Sequence, residues 1–125
     1  MSKKTDENTT VGSLKREVKR FSEEREWLKY HNPKDLAISI SIEASELLEH
    51  FQWLTDKEIE RRLNNSKEFN EIKSELADVI NYALALSNRL GIDISKSLID
   101  KIKDNEKKYP TSKVKGNYKK YDEVK

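Results

Sequence analysis

The apolar residues of this chain recur at steps of three and four, and the residues that would interrupt a helix are scarce, with three glycines and two prolines among 125. A face that repeats about every 3.6 residues cannot be presented by a strand, whose side chains alternate with period two. The chain is therefore expected to be all-α. Hydrophobic residues make up 34% and charged residues 38%, against the roughly 45–50% and about 25% of an ordinary globular domain. A small helical domain with that balance either keeps wide solvated faces or completes its core against another copy of itself. The absence of cysteine excludes a disulfide framework, a zinc ribbon and thiol chemistry, and two histidines leave little for an imidazole metal site. No apolar run approaches the roughly 18–20 residues of a membrane span, and the first ten residues lack the apolar stretch of a signal peptide. A cytoplasmic protein without membrane contact is expected.

Residues 1–10 read as a disordered polar lead, 11–110 as one helical domain and 111–125 as a basic tail. Val11, Leu14, Val18, Phe21 and Leu28 mark one face of a helix running to about Lys29. Asn32 is a good N-cap and Pro33 a good first helical residue, so a second helix is expected from Pro33 to about Trp53. Its segment Leu36 to Phe51 is apolar on most sides, which suits a central position. Thr55 and Glu58 have capping-box spacing and open a short connecting helix through Leu63. Ser66 caps a long helix carrying Phe69, Ile72, Leu76, Val79, Ile80, Ala83, Leu84 and Leu90, closed by Gly91. A last helix starts near Asp93 and stops at Pro110. Four main helices and a short connecting one make a compact antiparallel bundle, to be completed by oligomerisation.

Two carboxylate pairs interrupt this apolar pattern. Glu43 and Glu46, and again Glu75 and Asp78, stand at i, i+3 inside core-like helical runs, so each pair shares one helix face. None has a lysine or arginine three or four positions away, whereas Glu58 has Arg61 and Arg62 in reach. Such acids are either a solvated face or the ligands of a bound cation, and an all-oxygen set selects a hard ion, Mg²⁺ or Mn²⁺. A di-iron carboxylate bundle would need Glu-x-x-His steps, and His50 follows Glu46 by four and Glu49 by one. Charge is also unevenly spread: residues 43–78 hold ten acids against five bases, and residues 101–125 nine lysines against four acids. A cation site followed by lysines suits a polyphosphate; a lysine-rich arm suits a nucleic acid.

The spacing of Glu43-x-x-Glu46 and Glu75-x-x-Asp78, 28 residues apart, resembles the magnesium motif of the MazG-like all-α nucleoside triphosphate pyrophosphohydrolases, most closely the dCTP pyrophosphatase branch. The resemblance extends through Phe21 and Glu24-Arg25-Glu26-Trp27, His31 to Leu36, Glu49 to Trp53, Lys101 to Pro110, and Tyr118 to Tyr121. It spans roughly residues 14–121.

The resemblance implies hydrolysis of a (deoxy)nucleoside triphosphate between its α and β phosphates, with dCTP-like or modified pyrimidine substrates favoured, as nucleotide-pool housecleaning. Glu43, Glu46, Glu75 and Asp78 would hold Mg²⁺, for which Mn²⁺ can substitute. Glu46 is the first choice for the general base, and Glu49, one i+3 step further, either holds an outer-sphere water or acts as a base, or is a rim acid. Lys101, Asn105 and Lys108 share a helix face and, with Tyr109, match positions that contact phosphates and sugar. Lys119, Lys120 and Tyr121 are either a lid over the triphosphate or a solvated tail. Phe21, Trp27, Trp53 and Tyr82 are the base-stacking candidates, Trp27 and Trp53 favoured by the resemblance, Phe21 and Tyr82 equally suited to the core. Vertebrate dCTP-specific members carry a histidine where this chain has Val18, which removes a polar handle on the base. His31 and His50 read as structural residues. The family implies a homo-oligomer, a tetramer in preference to a dimer. The competing reading is a non-catalytic helical adaptor or nucleic-acid-binding module that uses the lysine-rich tail, although no nucleic-acid fold motif is present.

Overall fold

The computed structural model describes residues 3–116. Among them there are helices and no strand: α1 (Val11–Glu24), a 3-10 turn (Leu28–Tyr30), α2 (Pro33–Glu49), α3 (Asp56–Leu63), α4 (Ser66–Leu90), α5 (Ile94–Lys108) and α6 (Thr111–Val114). The chain forms two compact units, one ending at Gly91 and the other beginning at Ile92.

In the first unit α4, 25 residues long, is the shared surface on which α2, α1 and α3 pack, with α2 as its main partner. The apolar core is small: Leu36, Ile72, Leu84 and Ala85 are its buried members. Polar contacts fix the seams. Asn88 Nδ2 donates to the Lys15 carbonyl at 2.9 Å, joining α4 to α1, and Arg62 Nη1 donates to the His50 carbonyl at 3.1 Å, joining α3 to the end of α2.

The helix starts follow from local side-chain chemistry. Asn32 accepts from the Asp35 N–H at 2.8 Å with Pro33 in the first helical position, Thr55 and Glu58 form a reciprocal capping box, and Gly91 closes α4 in the left-handed region at φ 64°. Three boundaries differ from the sequence expectation. α1 ends at Glu24 rather than near Lys29 because Glu26 turns left-handed at φ 55°. The Trp27 N–H then closes on the Ser22 carbonyl at 2.9 Å, and the apolar step of seven from Phe21 to Leu28 jumps over this break. α2 ends at Glu49 rather than Trp53, because Thr55 must be extended to cap α3 and residues 50–54 supply the reversal. α4 is capped by Asn65, whose Oδ1 accepts from the Glu68 N–H at 3.0 Å, and Ser66 is its first helical residue. Nor is the Leu36–Phe51 segment buried on most sides: Leu36 is buried, but Ile42 is 51% exposed and Leu48 52%, since one helix partner covers one stripe.

In the second unit Asp93 caps α5 by accepting from the Lys96 N–H at 3.0 Å, and Lys96 pairs with Asp100 at 2.6 Å. Helicity does not end for good at Pro110, which stands at the N-cap of the four-residue α6. Proline is tolerated at a helix start, where its missing N–H would go unpaired in any case.

Candidate functional site

Glu43 and Glu46 project from α2, Glu75 and Asp78 from α4. Across the seam, Glu43, Glu75 and Asp78 bring carboxylate oxygens within 4.8 Å of one another. Glu46 lies outside that trio but acts on both Glu43 and Glu75. Glu43 feels Asp78 more than Glu75, while Glu75 feels Glu46 and His50. Numbering thus rises on α2 as it falls on α4, so the two helices run antiparallel.

Asp78 is exposed, but Glu43 and Glu75 are half-buried and are not ordinary surface acids. Glu43 is held above the usual carboxylate range, first by a hydrogen bond with Glu46 and then by burial and by repulsion from Glu46, Asp78 and Glu75. Glu75 is raised first by burial, then by the Glu46 charge and its hydrogen bond and by Asp78, with His50 opposing. Glu75 Oε2 is buried with no hydrogen-bond partner. None of Glu43, Glu46, Glu49, Glu75 and Asp78 belongs to an ion pair among the described residues. Acids elsewhere behave in the opposite way. Glu58 is lowered by the Thr55 hydroxyl and backbone N–H, and Glu17 is lowered by its hydrogen bond and ion pair with Arg20. An unpartnered buried carboxylate is costly, and the oxygen-only donor set fits a hard divalent cation.

One turn beyond Asp78 the same helix lines a cavity of about 90 Å³, walled by Val18, Phe21, Ser22, Trp27, His31, Asn81, Tyr82 and Ala85. Three of the four aromatic residues singled out from the sequence meet there. Phe21 and Trp27 pack edge to face with centroids 5.8 Å apart, and the Arg25 guanidinium sits 3.8 Å from the Phe21 ring centre. The left-handed Glu26 is what turns Trp27 back toward Phe21. Trp53 is not in this wall and is 85% exposed. A neighbouring cavity of about 290 Å³ shares Val18, Ser22, His31 and Ala85 and adds Lys19, Leu28, Asn88 and Arg89.

Glu49 is the exposed last residue of α2, outside the carboxylate trio. Lys101, Asn105 and Lys108 lie on α5 and Tyr109 follows it, all in the second unit; the Tyr109 N–H donates to the Asn105 carbonyl at 2.8 Å. Lys119, Lys120 and Tyr121 lie outside the described residues. Sequence reasoning passed over Asn81 and took His31 as structural, although both line the cavity. The available signal for Asn81 was a polar residue inside the run Val79-Ile80-Asn81-Tyr82-Ala83, at i+3 from Asp78.

Comparison with known proteins gives the chain relatives in sequence and in fold. The sequence profile of the MazG-like family matches residues 38–124. The dCTP pyrophosphatase 1 proteins of Rattus norvegicus and Homo sapiens are 32% and 31% identical over 115 residues, 92% of this chain and 68% of theirs. The crystal structure of a pyrophosphatase from Archaeoglobus fulgidus DSM 4304 superposes with a TM-score of 0.72 at 38% identity, covering 88% of this chain and 98% of that one.

Proposed function

Because the chain belongs to the MazG-like family, we propose that it hydrolyses nucleoside triphosphates between the α and β phosphates, releasing a nucleoside monophosphate and pyrophosphate. The observation that carries this reading is the pairing of a cation-deficient carboxylate cluster with an aromatic cavity one helical turn away. Its similarity to dCTP pyrophosphatase 1 and to an archaeal pyrophosphatase supports the same reading.

Glu43, Glu46, Glu75 and Asp78 would hold Mg²⁺, with Mn²⁺ as an acceptable substitute. Bound there, the cation would offset phosphate charge and lower the pKa of a coordinated water. Glu46 accepts the proton of the attacking water, and Glu49 stands at the rim. The new bond forms from that oxygen to the α phosphorus as the bond to the bridging oxygen breaks, so the electron pair leaves with pyrophosphate. By the family resemblance, Lys101, Asn105, Lys108 and Tyr109 would contact the phosphates and sugar, as would Lys119, Lys120 and Tyr121, which lie outside the described residues. Lysine at position 108 makes a point-charge contact rather than the bidentate fork of an arginine. Phe21, Trp27 and Tyr82 enclose the base, and the pocket favours deoxycytidine-like and modified pyrimidine nucleotides, as a housecleaning enzyme would require. Trp53, outside this wall and exposed, is a further base-stacking residue, and further copies of the chain cover the exposed apolar faces of α2 and α4, in a tetramer in preference to a dimer.

The experiment is product analysis of a panel of canonical and modified nucleoside triphosphates, with Mg²⁺ or with EDTA, for the wild type and Asp78→Asn. Monophosphate and pyrophosphate are expected only from the wild type with metal. If the protein is folded and binds Mg²⁺ yet cleaves no nucleotide, the hydrolase reading fails and the adaptor reading replaces it. Adaptor binding would fall steeply with salt and ignore Mg²⁺.

A further inference from the structure

The aromatic walls of the cavity explain why a base would enter it but not which base, because every base offers a π face. Discrimination has to come from polar groups in the wall. Beside the Tyr82 phenol and the Trp27 indole N–H, which belong to the aromatic walls themselves, three polar side chains line it: the buried Ser22 hydroxyl, the His31 imidazole and the Asn81 carboxamide. Neither Asn81 nor His31 makes a side-chain hydrogen bond to any described residue, while other amides of the chain, Asn32, Asn65 and Asn88, are occupied by caps or seams. Asn81 is also the polar wall residue nearest in sequence to the carboxylate cluster, about one turn from Asp78 within the unbroken α4. A nucleotide whose phosphates approach Asp78 therefore carries its base toward Asn81.

We propose that Asn81 reads the base edge, and that the site for this reason accepts both 4-amino and 4-keto pyrimidines. The inference rests on the hydrolase reading above. A primary amide has a carbonyl acceptor and an NH₂ donor side by side. Held one way, it accepts from the N4 amino group of cytosine and donates to N3. Turned through 180° about its last torsion, it donates to O4 of uracil or thymine and accepts from the N3–H. The two orientations differ in little else, and at this exposed position no neighbouring hydrogen bond locks either of them. Val18, in the same wall, offers no polar atom that could favour one base over the other.

The test deletes the interaction from both sides. The kcat/KM values of wild type, Asn81→Leu and Asn81→Ala are measured for dCTP, dUTP and the 2-pyrimidinone deoxyribonucleoside triphosphate, which lacks any 4-substituent, and folding is checked by circular dichroism. Wild type is expected to use dCTP and dUTP within about tenfold of each other and the 2-pyrimidinone analogue, which keeps the N3 acceptor but loses the 4-substituent, about fivefold or more worse, the effect of losing one of the two edge hydrogen bonds. In both variants dCTP and dUTP fall to the level of the analogue. If wild type cleaves dCTP but the ratio of dCTP to analogue is unchanged in the variants, Asn81 does not read the base. A wild-type preference for dCTP over dUTP beyond about a hundredfold likewise overturns the proposal. If no nucleotide is cleaved by wild type, it is the hydrolase reading that falls, and the base-reading role falls with it.

Discussion

Glu43 on α2 and Asp78 on α4 face each other across the principal helix seam, and with Glu75 their carboxylate oxygens lie within 4.8 Å of one another. Three like charges at the contact between the two best-packed helices oppose folding when no cation is present. Asp78→Asn keeps the shape and removes one charge that raises both Glu43 and Glu75. Its melting temperature in EDTA is expected to rise by a few degrees above wild type, while the further rise that Mg²⁺ gives wild type is lost. Thermal melts of the two proteins with and without Mg²⁺ read both effects, and a variant less stable than wild type in EDTA would show that the cluster is not under charge strain.

The same cluster sets a pH dependence. The folded-state carboxyls of Glu43 and Glu75 lie above their ordinary value of 4.5, so folding favours their protonated forms. Their contribution to stability is fully present below that ordinary value and is lost as pH rises through the higher folded value. In EDTA the protein is expected to gain stability as pH falls from neutrality toward 4.5. With Mg²⁺ present the trend reverses over the same window, because protons compete with the cation for the same oxygens. Glu17 and Glu58, whose values are lowered, act only below 4.5, where their stabilisation is lost on further acidification. Melting curves across this range in the two buffers, if parallel, would contradict a cation site at the seam.

Much of this architecture is written in local chemistry. Asn32-Pro33, Thr55 with Glu58, Gly91 and Asp93 each fix a helix boundary with atoms no more than three residues away, so sequence spacing identifies them. The carboxylate pairs are equally legible, because an i, i+3 acid pair without a nearby base is a local anomaly. Bringing Glu43 to Asp78 requires the antiparallel seam, and spacing suggests that seam without giving its register. The end of α1 is not legible, since a glutamate in the left-handed region at position 26 carries no sequence signature where glycine would. Asn81 was missed because one amide in an apolar helical run has meaning only once Phe21, Trp27 and Tyr82 have converged beside it.

The conformation of Glu26 gives a prediction of its own. A side-chain-bearing residue in the left-handed region costs about 1–2 kcal/mol, and glycine avoids this at some cost in unfolded-chain entropy. Glu26→Gly is therefore expected to stabilise the protein by roughly 0.5–1 kcal/mol, with Trp27 kept against Phe21. Glu26→Val should do the opposite, pulling Trp27 away and weakening nucleotide binding through a raised KM. Chemical denaturation of the three proteins measures the first effect and steady-state kinetics the second. Equal stability of the glycine and valine variants would mean that the turn is not strained.

Ile42 is 51% exposed, Leu76 50% and Ile80 48%, although all three lie on the helices that carry the carboxylates. Ile42 adjoins Glu43, Leu76 adjoins Glu75, and Ile80 is two residues beyond Asp78. A chain of 14.7 kDa with so small a buried core gains the most by covering this face with a second copy, since burying one such side chain contributes about 1.5–3 kcal/mol. Light scattering on the wild type is expected to give a mass two or four times that of the chain, and Ile42→Asp a mass of one chain. Because the covered face borders the acids, the dissociated variant should also bind Mg²⁺ more weakly, as water then screens carboxylates that the interface had kept drier. A wild-type mass equal to one chain would mean that these side chains meet solvent in the functional protein, and that the carboxylate cluster owes its raised Glu43 and Glu75 to neighbours within one chain alone.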